Sequence, residues 1–300
     1  MGVERVILGC GNFGGVGSNL SLVGQGEDQA QAFEVMDAAW AHGVRRFDTA
    51  SSYGGGNSER TIAEWVRARQ PAGLRLSSKV FNPTHSGDDR GLAPARVRRV
   101  VRQSLEKLGV ERLDAYLVHE PDPETPLAST MSAFAQLLDE GVIGGIGISN
   151  VDAAYVAEAV SLAPIAVVQN EYSLLAREAE DEVLPLCAAH GIEFQVFSPL
   201  AGGWLTGKYA RGASFPEGSR MALLPVPYEE FVRDEVFDAV DELGRRGDPA
   251  TLALAWVLAN PLVGGVVVGP RSPSHLEAAW AALEMQIDRD ELTELFTWNR

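Results

Sequence analysis

What most constrains this chain is a cadence. Short β-branched runs alternate with longer helical patterns from one end of the sequence to the other. Strand-like runs fall at residues 6–8, 46–48, 75–80, 114–119, 143–149, 165–169, 193–198 and 264–268. After the first of them, Phe33, Met36 and Trp40 share one helical face. Further helical patterns cover 59–69, 94–108, 127–140, 153–162, 178–189, 229–245, 249–259, 273–283 and about 290–298, with Trp65 and Trp256 at core positions. Pro94 suits a first helical turn and Gly109 a C-terminal cap. Residues 199–227 are irregular. Eight strand–helix units with no break in composition predict a single (β/α)8 barrel domain over residues 1–300, close to the roughly 250 residues such barrels take. An open doubly wound sheet is the alternative, and eight even units fit it poorly.

A parallel barrel collects reactive side chains at the C-terminal ends of its strands. Asp48 ends the second strand, and Tyr53 follows on a glycine-rich turn. Lys79 lies near the end of the third, and His119 ends the fourth. A lone Asp is an ordinary cap and a lone His an ordinary packing residue. A lysine inside a strand is costly unless it is paired. The ordered set of four makes chemical sense together. A buried lysine stabilises phenolate and is expected to draw the tyrosine down from its usual value near 10. Asp48 would hold the lysine charged, and His119 would donate to a carbonyl oxygen or relay a proton.

The charge balance narrows the partners. With 41 acidic and 25 basic residues the net charge is −16, which repels phosphate backbones and argues against nucleic acid. Arg96, Arg98, Arg99 and Arg102 are accordingly read as the solvated face of a helix. No apolar run reaches the roughly 20 residues of a membrane span. The start lacks the features of a signal peptide, and Val6 argues against myristoylation. Two cysteines, Cys10 and Cys187, form neither a disulfide framework nor a metal site, and no metal is expected. The expectation is a cytoplasmic protein, away from membranes, with a small-molecule partner. No oligomeric state is read from the sequence.

The segment Gly9-Cys10-Gly11-Asn12-Phe13-Gly14 matches G-x-G-x-x-G, but helical periodicity begins only after about Glu27, so a dinucleotide fold of the Rossmann type is a poor reading. A different likeness carries further. Through VILGCGNFGG, FDTASSYGGGNSE, LSSKV, DAYLVHEPD, IGGIGISN, VVQNEYSLL, FSPLAGGWLTGKY and VVVGPRSPSHL, the chain resembles the aldo-keto reductases over nearly its whole length. FSPLAGGWLTGKY is similar to the bacterial branch that also resembles potassium-channel β-subunits.

The resemblance implies a tetrad of Asp48, Tyr53, Lys79 and His119 and an extended nicotinamide cofactor, NADPH with NADH possible. Ser149, Asn150 and Gln169 would hold the carboxamide, and Phe197 would stack on the ring. Ser198, Leu200, Gly202, Lys208 and Arg220 would line the pyrophosphate. Gly269, Arg271, Ser272 and His275 would face the adenosine ribose, with Arg271 on a 2′-phosphate. His275 and Ala279 depart from the residues common there. Phe13, Glu120 and Trp204 are candidates for the substrate pocket, Trp204 equally for packing beneath its loop. The reaction implied is reversible reduction of an aldehyde or ketone with Tyr53 as the acid. A nicotinamide-sensing subunit is the second reading. A barrel hydrolase using Asp48 and Glu120 leaves the lysine and tyrosine unexplained.

Overall fold

In the computed structural model, residues 2–296 are described. Eight parallel strands close into a barrel in sequence order: β1 (Val6–Gly9), β2 (Arg46–Asp48), β3 (Arg75–Val80), β4 (Ala115–Val118), β5 (Ile146–Ser149), β6 (Ile165–Glu171), β7 (Glu193–Phe197) and β8 (Val263–Val268). β8 pairs back onto β1, Val6 opposite Val266, so no strand edge is left open.

The first six strands are followed by α1 (Gln29–Ala41), α2 (Asn57–Arg69), α3 (Pro94–Leu108), α4 (Leu127–Asp139), α5 (Ala153–Leu162) and α6 (Val183–His190). After β7 come a short α7 (Arg220–Leu223), α8 (Asp234–Arg246) and α9 (Pro249–Ala259). After β8 come α10 (Glu277–Glu284) and α11 (Arg289–Thr293). Local chemistry sets several ends. Asp28 and Gln31 form a reciprocal cap on α1, Pro94 opens α3, and Gly109 closes it in the left-handed conformation at φ 69°.

The main core lies between barrel and helices. There Trp65 of α2 sits 5.3 Å from Phe47 of β2 and 5.8 Å from Trp40 of α1, ring centre to ring centre. Trp65 and Trp256 are both fully buried, as their helical positions require. Each contributes on the order of 2–3 kcal/mol through burial alone. Among the described residues, no helix is long and apolar enough to cross a membrane.

Several boundaries differ from the sequence expectation, for identifiable reasons. The pattern at 178–189 splits into a 3-10 turn, Glu178–Glu180, and α6. Pro185 lacks the N–H that a longer helix needs, so α6 begins within one turn of it. The fifth strand starts at Ile146, because Gly144 and Gly145 bring no side chains, and Ile143 makes only an isolated bridge to Leu113. The pattern from 229 becomes helical only at Asp234, after a 3-10 turn, Val226–Phe231, whose Phe231 is drawn into the core. Residues 273–276 form a 3-10 turn ahead of α10. Of the last predicted helix, Thr297 and Trp298 lie outside the described residues.

Arg96 is the clearest correction. It is buried rather than solvated, and it donates to the carbonyls of Asn82 at 3.0 Å and Gly91 at 2.8 Å. It fastens the loop after β3 to α3.

Candidate active site

The C-terminal rim of the barrel opens into a cavity of about 1010 Å³, at the upper end of the roughly 300–1,000 Å³ of small-molecule sites. Asp48, Tyr53 and His119 stand at its floor, with Lys79 buried directly beneath. Strand alternation explains Lys79. Its neighbour Ser78 points outward and donates to Glu59 of α2 at 2.8 Å, which turns Lys79 into the barrel. The ammonium spends its three protons on the Asp48 carboxylate, the Thr49 carbonyl at 3.0 Å and the Tyr53 hydroxyl at 3.4 Å. Burial alone would lower this lysine. Asp48, followed by Tyr53, outweighs that effect and holds it above its usual value.

Tyr53 reaches the floor from a turn in which Gly54, Gly55 and Gly56 take φ of 57°, 64° and 82°. A Cβ on Gly54 would stand 2.6 Å from the Phe13 carbonyl, so the turn needs glycine for both conformation and space. The phenol oxygen is 3.4 Å from His119 Nε2, with the rings edge to face at 5.4 Å. Burial is the largest influence on this phenol and raises it above the ordinary tyrosine value, despite the opposing charge of Lys79. The expected downward shift is therefore reversed, because desolvation outweighs the cation. Tyr53 stays protonated.

Burial, then the Lys79 charge, lowers His119 from 6.5 to about 3. It is neutral throughout the working range. Its Nδ1 is buried without a partner, which favours the tautomer carrying hydrogen on Nε2. The unfolded chain then binds the extra proton first, so this histidine should cost the fold stability progressively as pH falls from about 6.5 toward 3. Urea unfolding at pH 7 and pH 4.5 checks this, and His119→Gln should flatten the difference.

A polar column runs from this site to the opposite end of the barrel. Asp48 Oδ1 accepts from Ser77 at 2.8 Å and from Gln169 Nε2 at 3.2 Å. Gln169 also donates to Gln195 at 3.1 Å, Gln195 donates to Glu193 at 3.2 Å, and Glu193 takes both arms of Arg46 at 2.7 and 2.8 Å. Ser77 and Gln195 were missed in the sequence. Inward alternation from Lys79, and pairing across from Gln169, were the signals that could have found them.

Along one wall lie Ser149, Asn150, Gln169 and Phe197, at or just beyond the ends of β5, β6 and β7. Asn150 at φ 58° and Ser198 at φ 50° hold left-handed conformations that cost energy away from glycine, as cavity-facing backbone often does. Asn150 also donates to the His119 carbonyl at 2.8 Å. The far end is lined by Ser198, Leu200, Gly202, Lys208, Arg220, Gly269, Arg271 and His275. Ser272 stays off the lining and bonds to Ser274, 2.9 Å away, which takes that place. His275 is lowered by burial, then by Lys208 and Arg271.

None of Phe13, Glu120 and Trp204 lines the cavity. Phe13 is fully buried under the loop after β1. Glu120 accepts from Asn82 at 2.7 Å. Trp204 sits in an aromatic cluster with Tyr209, Phe215, Phe231 and Phe237, centroids 5.1 to 6.4 Å away, because the loop after β7 folds over its own side chains. Trp204→Phe should accordingly cost about 1–2 kcal/mol of stability while leaving KM for a carbonyl substrate unchanged. Chemical denaturation with steady-state kinetics separates the two effects.

The Aldo/keto reductase family model matches residues 5–298. An uncharacterized oxidoreductase of Bacillus subtilis is 32% identical, covering 98% of this chain and 91% of its own. A probable voltage-gated potassium channel subunit beta of Arabidopsis thaliana is 32% identical over 86% of this chain and 83% of its own. An NADH-specific methylglyoxal reductase of Escherichia coli is 32% identical over 89% and 86%. Among solved structures, a glycerol dehydrogenase of Gluconobacter oxydans superposes with a TM-score of 0.81 at 24% identity, covering 98% of this chain and 90% of that one, a likeness of fold. The chain belongs to the aldo/keto reductase family, and with it to the NAD(P)H-dependent oxidoreductases.

Proposed function

We propose that this protein reduces an aldehyde or ketone to the alcohol, reversibly, with NADPH as cofactor, NADH being admitted, and Tyr53 as general acid. The observation that carries this reading is the hydrogen-bond pattern at Tyr53. Lys79 Nζ and His119 Nε2 both stand at donating distance from its oxygen, 3.4 Å each. The hydroxyl hydrogen is thereby left without a protein acceptor and free to face the cavity, where a carbonyl oxygen would take it. Asp48 keeps Lys79 charged, and the ammonium stabilises the phenolate left behind. Neutral His119 donates its one N–H, at Nε2, to the Tyr53 oxygen and so helps keep the hydroxyl hydrogen turned toward the carbonyl.

The residues fit a nicotinamide dinucleotide. Amide and hydroxyl groups of Ser149, Asn150 and Gln169 cluster beside the Phe197 ring, and the cations of a strongly acidic chain gather at the other end. Ser149, Asn150 and Gln169 would hold the carboxamide, and Phe197 would stack on the ring. Ser198, Leu200, Gly202, Lys208 and Arg220 would line the pyrophosphate, with Gly269, Arg271 and His275 near the adenosine ribose. When bound, the dinucleotide supplies the hydride. The reading treats the 300 residues as one barrel unit of the cytoplasm, which two unpaired, buried cysteines suit.

A panel of aldehydes and ketones, followed by loss of reduced-nicotinamide absorbance, tests the proposal. The likeness to the Arabidopsis protein named as a potassium channel subunit beta favours a second reading, a cofactor-sensing subunit. Tight cofactor binding without turnover on any carbonyl would support that reading and refute the first.

A further inference from the structure

Behind the cavity end that Arg271 lines, one buried carboxylate meets that cation. Glu27, in the loop after β1, is 3% exposed. Its backbone is pinned on both sides: its N–H donates to the Asn12 carbonyl at 2.9 Å, and its carbonyl accepts from Gly14 at 2.8 Å. Glu27 Oε1 accepts from Arg271 Nε at 2.6 Å, while Oε2 is buried with no hydrogen-bond partner among the described residues. Arg271 Nη1 is engaged by the Gly218 carbonyl. The guanidinium expected to meet a 2′-phosphate is thus already occupied along its Nε edge.

We propose that Glu27 sets dinucleotide selectivity: as the resident counter-ion of Arg271, it weakens binding of a 2′-phosphorylated dinucleotide and so keeps the unphosphorylated form admitted. The proposal rests on the nicotinamide reading above. An arginine grips phosphate best with two parallel donors, and here one edge is spent on a carboxylate. A 2′-phosphate brought to the remaining nitrogen would stand beside a fixed like charge. Glu27 cannot swing away, because both neighbouring backbone bonds hold it and its side chain is enclosed. A ribose hydroxyl carries no charge to be repelled. Burial raises the Glu27 carboxyl above its ordinary value, against the pull of Arg271, which shows how incompletely this carboxylate is satisfied.

The test is fluorescence titration of NADPH and NADH onto the wild-type protein, Glu27→Gln, Glu27→Ala and Glu27→Asp. Glu27→Gln keeps the shape and the acceptor for Arg271 Nε but removes the charge. The ratio of the NADH Kd to the NADPH Kd should rise tenfold or more, through tighter NADPH binding. Glu27→Ala should move it in the same direction, and serves if the glutamine variant fails to fold. Glu27→Asp, which keeps the charge, should stay within about threefold of wild type. A ratio unchanged within twofold in a folded, charge-free variant overturns the role of Glu27 while leaving the nicotinamide reading intact. Wild-type protein that binds neither dinucleotide overturns both.

Discussion

Tyr53→Phe is expected to lower kcat for carbonyl reduction by about 10²- to 10⁴-fold, with the dinucleotide Kd unchanged. The range is what a positioned general acid contributes. The substitution removes one oxygen and keeps the ring, so the edge-to-face contact with His119 survives. Gly54 to Gly56 still set the turn, and the walls proposed to hold the dinucleotide are untouched. Lys79 loses one weak acceptor at 3.4 Å but keeps Asp48 and the Thr49 carbonyl, so its position should hold. Stopped-flow turnover and cofactor titration on the same preparation separate chemistry from binding. Near-wild-type turnover with intact cofactor binding would remove Tyr53 from the role of acid.

Lys79→Met should act on both chemistry and stability. The Lys79–Asp48 pair is almost wholly enclosed, and deleting the lysine leaves a buried carboxylate with Ser77 and Gln169 as its side-chain donors among the described residues. Breaking such a pair typically costs about 3–5 kcal/mol. A urea midpoint shift of that size is expected at neutral pH, along with loss of turnover. Adding Asp48→Asn should recover much of the stability, because the stranded charge disappears, and none of the turnover. If the double variant were no more stable than Lys79→Met alone, the ion pair would not be the source of the loss.

The barrel, and the gathering of Asp48, Tyr53, Lys79 and His119 at one end of it, were legible in the sequence because both follow from period. Alternation along β3 aims Lys79 inward, and the ends of consecutive strands must converge, so Asp48, Lys79 and His119 follow from their positions on the strands. The electrostatics of Tyr53 were not legible. Spacing shows that a cation lies near the phenol but not how completely the barrel excludes water, and the exclusion decides the direction. Arg96 was misread for a related reason, and the two readings of Trp204, pocket wall or packing beneath its loop, could not be separated. A helical arginine looks peripheral in one dimension and a loop tryptophan can face either way, yet each is enclosed by loop segments that carry no periodic signal. The Glu27–Arg271 contact joins residues 244 apart, one from each end of the barrel's order, and no local pattern could have paired them.

The polar column along the barrel axis bears on how this molecule can change. From Arg46 through Glu193, Gln195 and Gln169 to Asp48, each group is the partner that satisfies the next, so truncation at any step strands a charge or an amide in an enclosed place. A helix-facing valine can be exchanged for an isoleucine at modest expense. No step of the column has an equivalent substitute. Random libraries should return very few survivors altered on the axis and many altered at the rim, where the loops meet solvent. Change can be accommodated by rewriting those loops, while the polar axis is kept whole.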